Sequence, residues 1–191
     1  SLMIMKTHNT LLAGFLSASA LLIPQMLHAA GPVGENVVAG QASFDRSLPG
    51  VLNIQQGTDR AIINWQDFSI GAGELTRFLQ PGANSATLNR VLGGNPSEIF
   101  GTLQANGQVY LFNQAGIMVG PSGVINTRGF VASTLGISDD SFLKNARLTL
   151  SGDSEASIKN LGKISAQEGN VFLIARTVEN AGSISAPNGA V

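Results

Sequence analysis

The sequence predicts an all-β protein: a right-handed parallel β-helix with an N-terminal cap and short extra-helical β elements. Three observations carry this expectation. Beyond Gly31, apolar residues come in short runs, each ended by a turn former. No convincing amphipathic helix occurs in that region. The C-terminal end also repeats itself: NLGKISAQEGNV from Asn160 aligns with NAGSISAPNGAV from Asn180 at an offset of twenty residues. A period of that length marks a solenoid, and it is too short to hold a pair of helices.

The first segment, residues 1–30, reads as a leader and signal peptide. Ser1 to Ile4 look like a remnant ahead of a true start at Met5 or Met3. Lys6 supplies the positive start, Leu11 to Ile23 form an uncharged apolar stretch, and Pro24 ends it before the small residues Ala29 and Ala30. The stretch is shorter than the roughly 20 residues that span a bilayer. Cleavage after Ala29 places Leu27 three residues upstream, and this is favoured over cleavage after Ala30, which places His28 there. His8 and His28 are the two histidines, and the chain has no cysteine. A mature chain beginning near Gly31 therefore excludes Ser-His-Asp and Cys-His catalysis, disulfides and the common zinc ligand sets.

Residues 31–191 form the second unit, a β-helical domain expected to be the N-terminal fragment of a longer protein. Net charge is −1 with 12% charged residues and no basic run, so nucleic acid is not an expected partner. Strand candidates follow in order: Asn36 to Ala39, Ala61 to Ile63, Arg77 to Leu79, Ala86 to Leu88, Gln108 to Phe112, Gly116 to Val119 and Gly123 to Ile125. Turns fall at Leu48 to Gly50, Gln56 to Asp59, Gln80 to Gly82 and Ala105 to Gly107. One short helix is expected at Ser138 to Leu143, with Ser138 as cap and Asp139 and Asp140 at the positive end of its dipole. In the repeat, Ile164 should stack on Ile184 inside and Asn160 on Asn180 at a turn, with aligned glycines at the corner. A leucine-rich horseshoe lacks its L-x-x-L-x-L signature here. A β-sandwich is the runner-up fold, but it leaves the matched pair unexplained.

Chemistry-bearing clusters are sparse. The acids of the mature part are scattered, and Asp139-Asp140 is the one adjacent pair, which a helix start accounts for. No catalytic residue, metal site or cofactor is expected. Trp65 and Tyr110 are read as packing residues. Arg77 and Arg90 have Glu74 or Glu98 as candidate partners, with solvated side chains as the alternative.

The stretch from Ile63 to Thr134 resembles the N-terminal secretion domain of two-partner secretion exoproteins, the filamentous haemagglutinin family. The pieces that carry the resemblance are Phe78-Leu79-Gln80-Pro81, Leu88-Asn89-Arg90-Val91, the segment Pro96 to Leu103, Ala105-Asn106-Gly107, and Asn113 to Ile117. The family often shows Asn-Pro-Asn-Gly-Ile where this chain has Asn113-Gln114-Ala115-Gly116-Ile117. Its Asn-Pro-Asn-Leu motif is matched only in part, at Asn95-Pro96-Ser97.

The resemblance implies export through the Sec translocon into the periplasm. It then implies recognition by an outer-membrane β-barrel transporter with periplasmic recognition domains, and folding outside the cell. The product would be secreted or held at the cell surface, as the non-enzymatic head of a large exoprotein or adhesin. Contact with the host-cell surface would come through the region beyond Val191. The residues it marks for transporter recognition are Asn89, Arg90, Asn95, Pro96, Asn113, Gly116 and Ile117. Replacing Asn113 and Gly116 is expected to impair export more than stability. A polysaccharide-active β-helix enzyme and a direct glycan-binding adhesin module are the alternatives.

Overall fold

The computed structural model describes residues 30–191, so the signal segment, including Ala29 on one side of the cleavage site, lies outside the described residues. From Ala30 onward the short apolar runs become strands that wind into a parallel β-solenoid of about six turns. The chain starts with a reversed cap. β1 (Asn36–Ala39) pairs antiparallel with β4 (Arg60–Trp65), and β2 (Ala42–Asp45) pairs antiparallel with β3 (Val51–Gln56). Both cap strands alternate exposed and half-buried positions, so they cover the first coil while showing Asn36, Val38, Ser43 and Asp45 to the outside. A sheet edge left open there would invite pairing with other chains.

Every pairing between named strands after the cap is parallel. The second coil holds β5 (Leu75–Leu79), β6 (Ala86–Val91) and β7 (Ser97–Ile99), and the third holds β8 (Thr102–Ala105), β9 (Gln108–Asn113) and β10 (Ile117–Val119). The fourth has β11 (Val124–Thr127), β12 (Gly129–Ser133) and β13 (Ser157–Asn160). Then come β14 (Lys163–Ala166), β15 (Val171–Ile174), β16 (Thr177–Asn180) and β17 (Ser183–Ser185). They form three sheets. Sheet one runs β1-β4-β6-β9-β12-β15, sheet two β2-β3-β5-β8-β11-β14-β17, and sheet three β7-β10-β13-β16. A β-sandwich has no place for such a ladder of parallel neighbours.

The repeat read from the sequence is a stack of coils. Ile164 pairs with Ile184 and with Ile125, and Ile125 pairs with Leu103 below it. Ile125, Leu103 and Ile164 are all buried inside the coil. Each such side chain contributes roughly 1.5–3 kcal/mol on burial. At the adjoining turn the Asn160 amide donates to Asn180 Oδ1 at 2.9 Å across twenty residues. The corner glycines are required by close approach: a Cβ on Gly162 would sit 2.3 Å from the Gly123 carbonyl oxygen, and one on Gly182 would sit 2.2 Å from that of Gly162.

The core of the early coils is more varied. Trp65 is buried edge-on to Phe44 and Phe68, and its indole N–H donates to Asn89 Oδ1 at 3.0 Å. Gln56, Thr87 and Gln80 form a buried polar group in which Thr87 bonds both amides. Gln80 also reaches the Gln108 carbonyl at 2.9 Å and accepts from Gly107 N at 2.8 Å, so the group ties three successive coils.

Between β12 and β13, residues 134–156 leave the coil. This excursion, here called the strap, carries α1 (Asp139–Leu143), capped by Ser138 Oγ accepting from Ser141 N at 3.2 Å. It returns where Gly136 and Ser151 exchange two backbone hydrogen bonds of 2.7 and 3.0 Å.

Candidate functional site

Five of the sequence-marked residues meet at the corner where sheet one turns into sheet three. β9 ends on Asn113, whose inward-facing side chain fastens the turn. Its Nδ2 donates to the Asn95 carbonyl and to Ser97 Oγ, both at 3.0 Å, and its Oδ1 accepts from Ala115 N at 2.9 Å. Gly116 follows with φ of +111°, a backbone state that L side chains rarely adopt, and a Cβ there would lie 3.2 Å from the Ser157 carbonyl oxygen. Its carbonyl accepts from Ser97 N at 3.0 Å, so the turn stitches two coils together. Gly116 thus serves the turn in place of the family's longer motif, while Gln114 and Ala115 fill the positions between.

Burial divides these five. Asn113, Gly116 and Ile117 are buried, whereas Asn95 and Pro96 are exposed. Asn95 Nδ2 lies 3.4 Å from Asp67 Oδ2. An open groove of about 430 Å³ runs beside the corner along the outside of sheet three, bounded by Pro96, Gly116, Ile117, Met118, Glu155 and Lys159. Both positions hold the turn closed, so replacing either is expected to cost stability as well as any effect it has on export.

Asn89 and Arg90 sit apart from this corner, on β6. Asn89 faces inward, is fully buried, and bridges the Trp65 indole to the Tyr110 carbonyl at 3.1 Å. Arg90 faces outward. Its partners are Asp139 Oδ1 at 2.5 Å, the Ile137 carbonyl at 3.2 Å and Asn64 Oδ1 at 3.3 Å, not Glu74 or Glu98. Arg77 likewise bonds Gln104 Oε1 at 3.0 Å. Glu74 instead accepts from the backbone N–H groups of Gly71 and Gly31.

The acid pair is accounted for by ion pairs: Asp139 with Arg90, and Asp140 with Lys144 at 2.8 Å. Among the described residues no three His, Cys, Asp or Glu side chains lie close enough to hold a metal ion. The N-terminal anchor was not foreseen from the sequence. Arg46 donates to the Ala30 carbonyl at 2.6 Å and the Pro32 carbonyl at 2.7 Å, and pairs with Glu35 at 2.9 Å. Arg60, which reaches the strap, was also missed. The available signal was the alternation of Arg60, Ile62 and Asn64 with the inward Ala61, Ile63 and Trp65.

Residues 35–191 match the family model of the TPS secretion domain. A heme/hemopexin-binding protein of Haemophilus influenzae is 38% identical over 103 residues, which are 54% of this chain and 11% of the relative. The protein of that name from another strain is 42% identical over the same share of each chain. The crystal structure of the HMW1 secretion domain from Haemophilus influenzae matches with a TM-score of 0.74 and 37% identity, over 81% of this chain and 42% of that one.

Proposed function

This chain belongs to the family of TPS secretion domains, and from that premise we propose that it directs a large exoprotein to an outer-membrane β-barrel transporter and nucleates β-helix folding at the cell surface. Membership places the chain in the secretion of exoproteins and implies a transporter partner. The finer reading is non-enzymatic. A signal peptide spanning Met5 to Ala29 delivers the chain to the Sec translocon and is removed in the periplasm. Cleavage there leaves Ala30, whose carbonyl Arg46 holds at 2.6 Å. The periplasmic recognition domains of the transporter then read the chain before its corner closes.

The observation that carries this reading is the family match across nearly all of the described residues. The burial of Asn113, Gly116 and Ile117 supports recognition of the open chain, because of the five marked residues a partner meeting the finished corner finds Asn95 and Pro96 alone exposed. An unfolded chain presents short amphipathic strands with free N–H and C=O groups, which add to a strand edge of the partner. Outside the cell, each new coil buries apolar residues such as Ile164 and Val171 at about 25 cal/mol per Å². That gain opposes back-sliding in a compartment without nucleotide energy. The region beyond Val191 carries the surface activity of the exoprotein, including any contact with a host cell.

The test is export of a reporter fused to this chain, in cells with and without the transporter. Export is expected to need the transporter and to be lost when residues 84–117 are deleted. Undiminished export of the deletion would overturn the proposal.

A further inference from the structure

The chain holds two Asn-Gly dipeptides, Asn106-Gly107 and Asn188-Gly189. Both stand at the corner where sheet two gives way to sheet one. Asn106-Gly107 joins β8 to β9, and Asn188-Gly189 follows β17, three coils further on. The corner has no room for a side chain at the glycine. A Cβ on Gly107 would lie 2.6 Å from Gln80 Oε1 and 2.7 Å from the Ser85 carbonyl oxygen, and one on Gly189 would lie 2.1 Å from the Gly169 carbonyl oxygen. Stacking therefore requires glycine at both places. The requirement carries a chemical liability, because a flexible glycine N–H can swing onto the side-chain carbonyl carbon of the asparagine before it.

The fold treats the two dipeptides differently. Gln80 N donates to Asn106 Oδ1 at 2.7 Å, and Asn106 Nδ2 donates to the Gln80 carbonyl at 2.8 Å. The Asn106 amide is thus paired at both ends with the backbone of the coil below. Gly107 is buried, and its N–H donates to Gln80 Oε1 at 2.8 Å. The nitrogen that would attack and the carbon it would attack are both fastened to one residue. Asn188 has no such clamp among the described residues. It is exposed, and its Nδ2 lies 3.4 Å from the Gln167 carbonyl. Gly189 is exposed too, with its N–H closing a turn on the Ala186 carbonyl at 3.1 Å.

We infer that Asn106-Gly107 is a site of spontaneous deamidation in the open chain, and that stacking of the third coil on the second shuts it. In the open chain the Gly107 nitrogen attacks Asn106 Cγ. The N–Cγ bond forms, the Cγ–Nδ2 bond breaks, and ammonia leaves with the Gly107 proton. Water then opens the cyclic imide at either carbonyl, leaving aspartate or isoaspartate. No oxidant, reductant or cofactor takes part. Either product spoils the corner. Aspartate turns a carboxylate oxygen toward the Gln80 carbonyl, where Nδ2 had donated. Isoaspartate adds a methylene to the backbone between β8 and β9, and the inward alternation of β9 depends on its register there. The inference goes beyond the proposed function and stands whether or not a transporter reads the chain. It adds a reason for the exported chain to fold promptly.

The experiment uses Asn188 as the internal reference. The purified chain is aged in mildly alkaline buffer, folded in one sample and in urea above its unfolding midpoint in another. Peptide mapping by mass spectrometry follows conversion at each asparagine. In urea the two sites share the same dipeptide chemistry, and their rates are expected to lie close together. In buffer Asn188 is expected to convert at least about tenfold faster than Asn106, because Asn106 must first open locally. A ratio of the two rates no larger in buffer than in urea overturns the inference. The urea-aged chain is then refolded and treated with protease. Chains converted at position 106 are expected to be depleted from the resistant fraction relative to chains converted at position 188. Equal survival of the two overturns the claim that the change spoils the corner. Neither readout involves the transporter, so failure here and failure of the proposed function are separate results.

Discussion

Replacing Asn113 with alanine tests whether the corner is primarily a structural lock. Asn113 is 1% exposed. Its side chain makes three hydrogen bonds, to the Asn95 carbonyl, Ser97 Oγ and Ala115 N. Each is worth about 1 kcal/mol net, and partners left buried and unpaired cost about 1–3 kcal/mol. Water can reach the exposed Asn95 and Ala115 side of the turn, so a total near 3 kcal/mol is expected rather than the full sum. With a urea slope of about 2 kcal/mol per M, the unfolding midpoint should fall by about 1.5 M. Asn113→Asp keeps the acceptor for Ala115 N but turns a carboxylate oxygen toward the Asn95 carbonyl, so it should also destabilise. Asn95→Ala provides the contrast: that side chain is exposed and makes one long contact, so its midpoint should move little. The assay is equilibrium urea unfolding of the purified chain followed by far-UV circular dichroism. An Asn113→Ala midpoint within about 0.25 M of the parent would refute the reasoning and return Asn113 to a role in partner contact.

Two further outcomes follow from the stack and from the cap. Gly162→Ala should destabilise by about 1–3 kcal/mol, because its Cβ meets backbone oxygens of Gly123 at 2.3 Å and Gly120 at 2.5 Å. Gly94→Ala, with nothing within 4 Å of the added carbon, should stay within about 0.5 kcal/mol in the same urea unfolding assay. At the end of β2, the Ser47 hydroxyl and then its backbone N–H hold the Asp45 carboxyl below its ordinary value of 3.8. Its folded pKa is thus depressed, so its small contribution is present above the ordinary value and disappears as pH falls through the folded one. Carbon-detected titration should show the Asp45 midpoint rising in Ser47→Ala, and an unmoved midpoint would contradict that cause.

What was legible in the sequence was the local, one-dimensional part of the fold. Coils stack on their immediate neighbours, so the pairing of Ile164 with Ile184 and of Asn160 with Asn180 is written as a repeat along the chain. The capped helix at Ser138 was legible for the same reason, since its signal lies within one turn. The early coils were not, because their lengths vary. Val51 pairs with Leu75, Leu75 with Thr102, and Val124 with Lys163, so loops and the strap interrupt any constant period. Only the tertiary structure decided which face each marked residue serves. It turned Asn89 inward to the Trp65 indole and Arg90 outward to Asp139, one residue apart on β6, because strand side chains alternate across a sheet. It also set Arg60 against Phe142, eighty-two residues away. That contact depends on where the strap falls across sheet one, and lateral packing of this kind leaves no period in the chain.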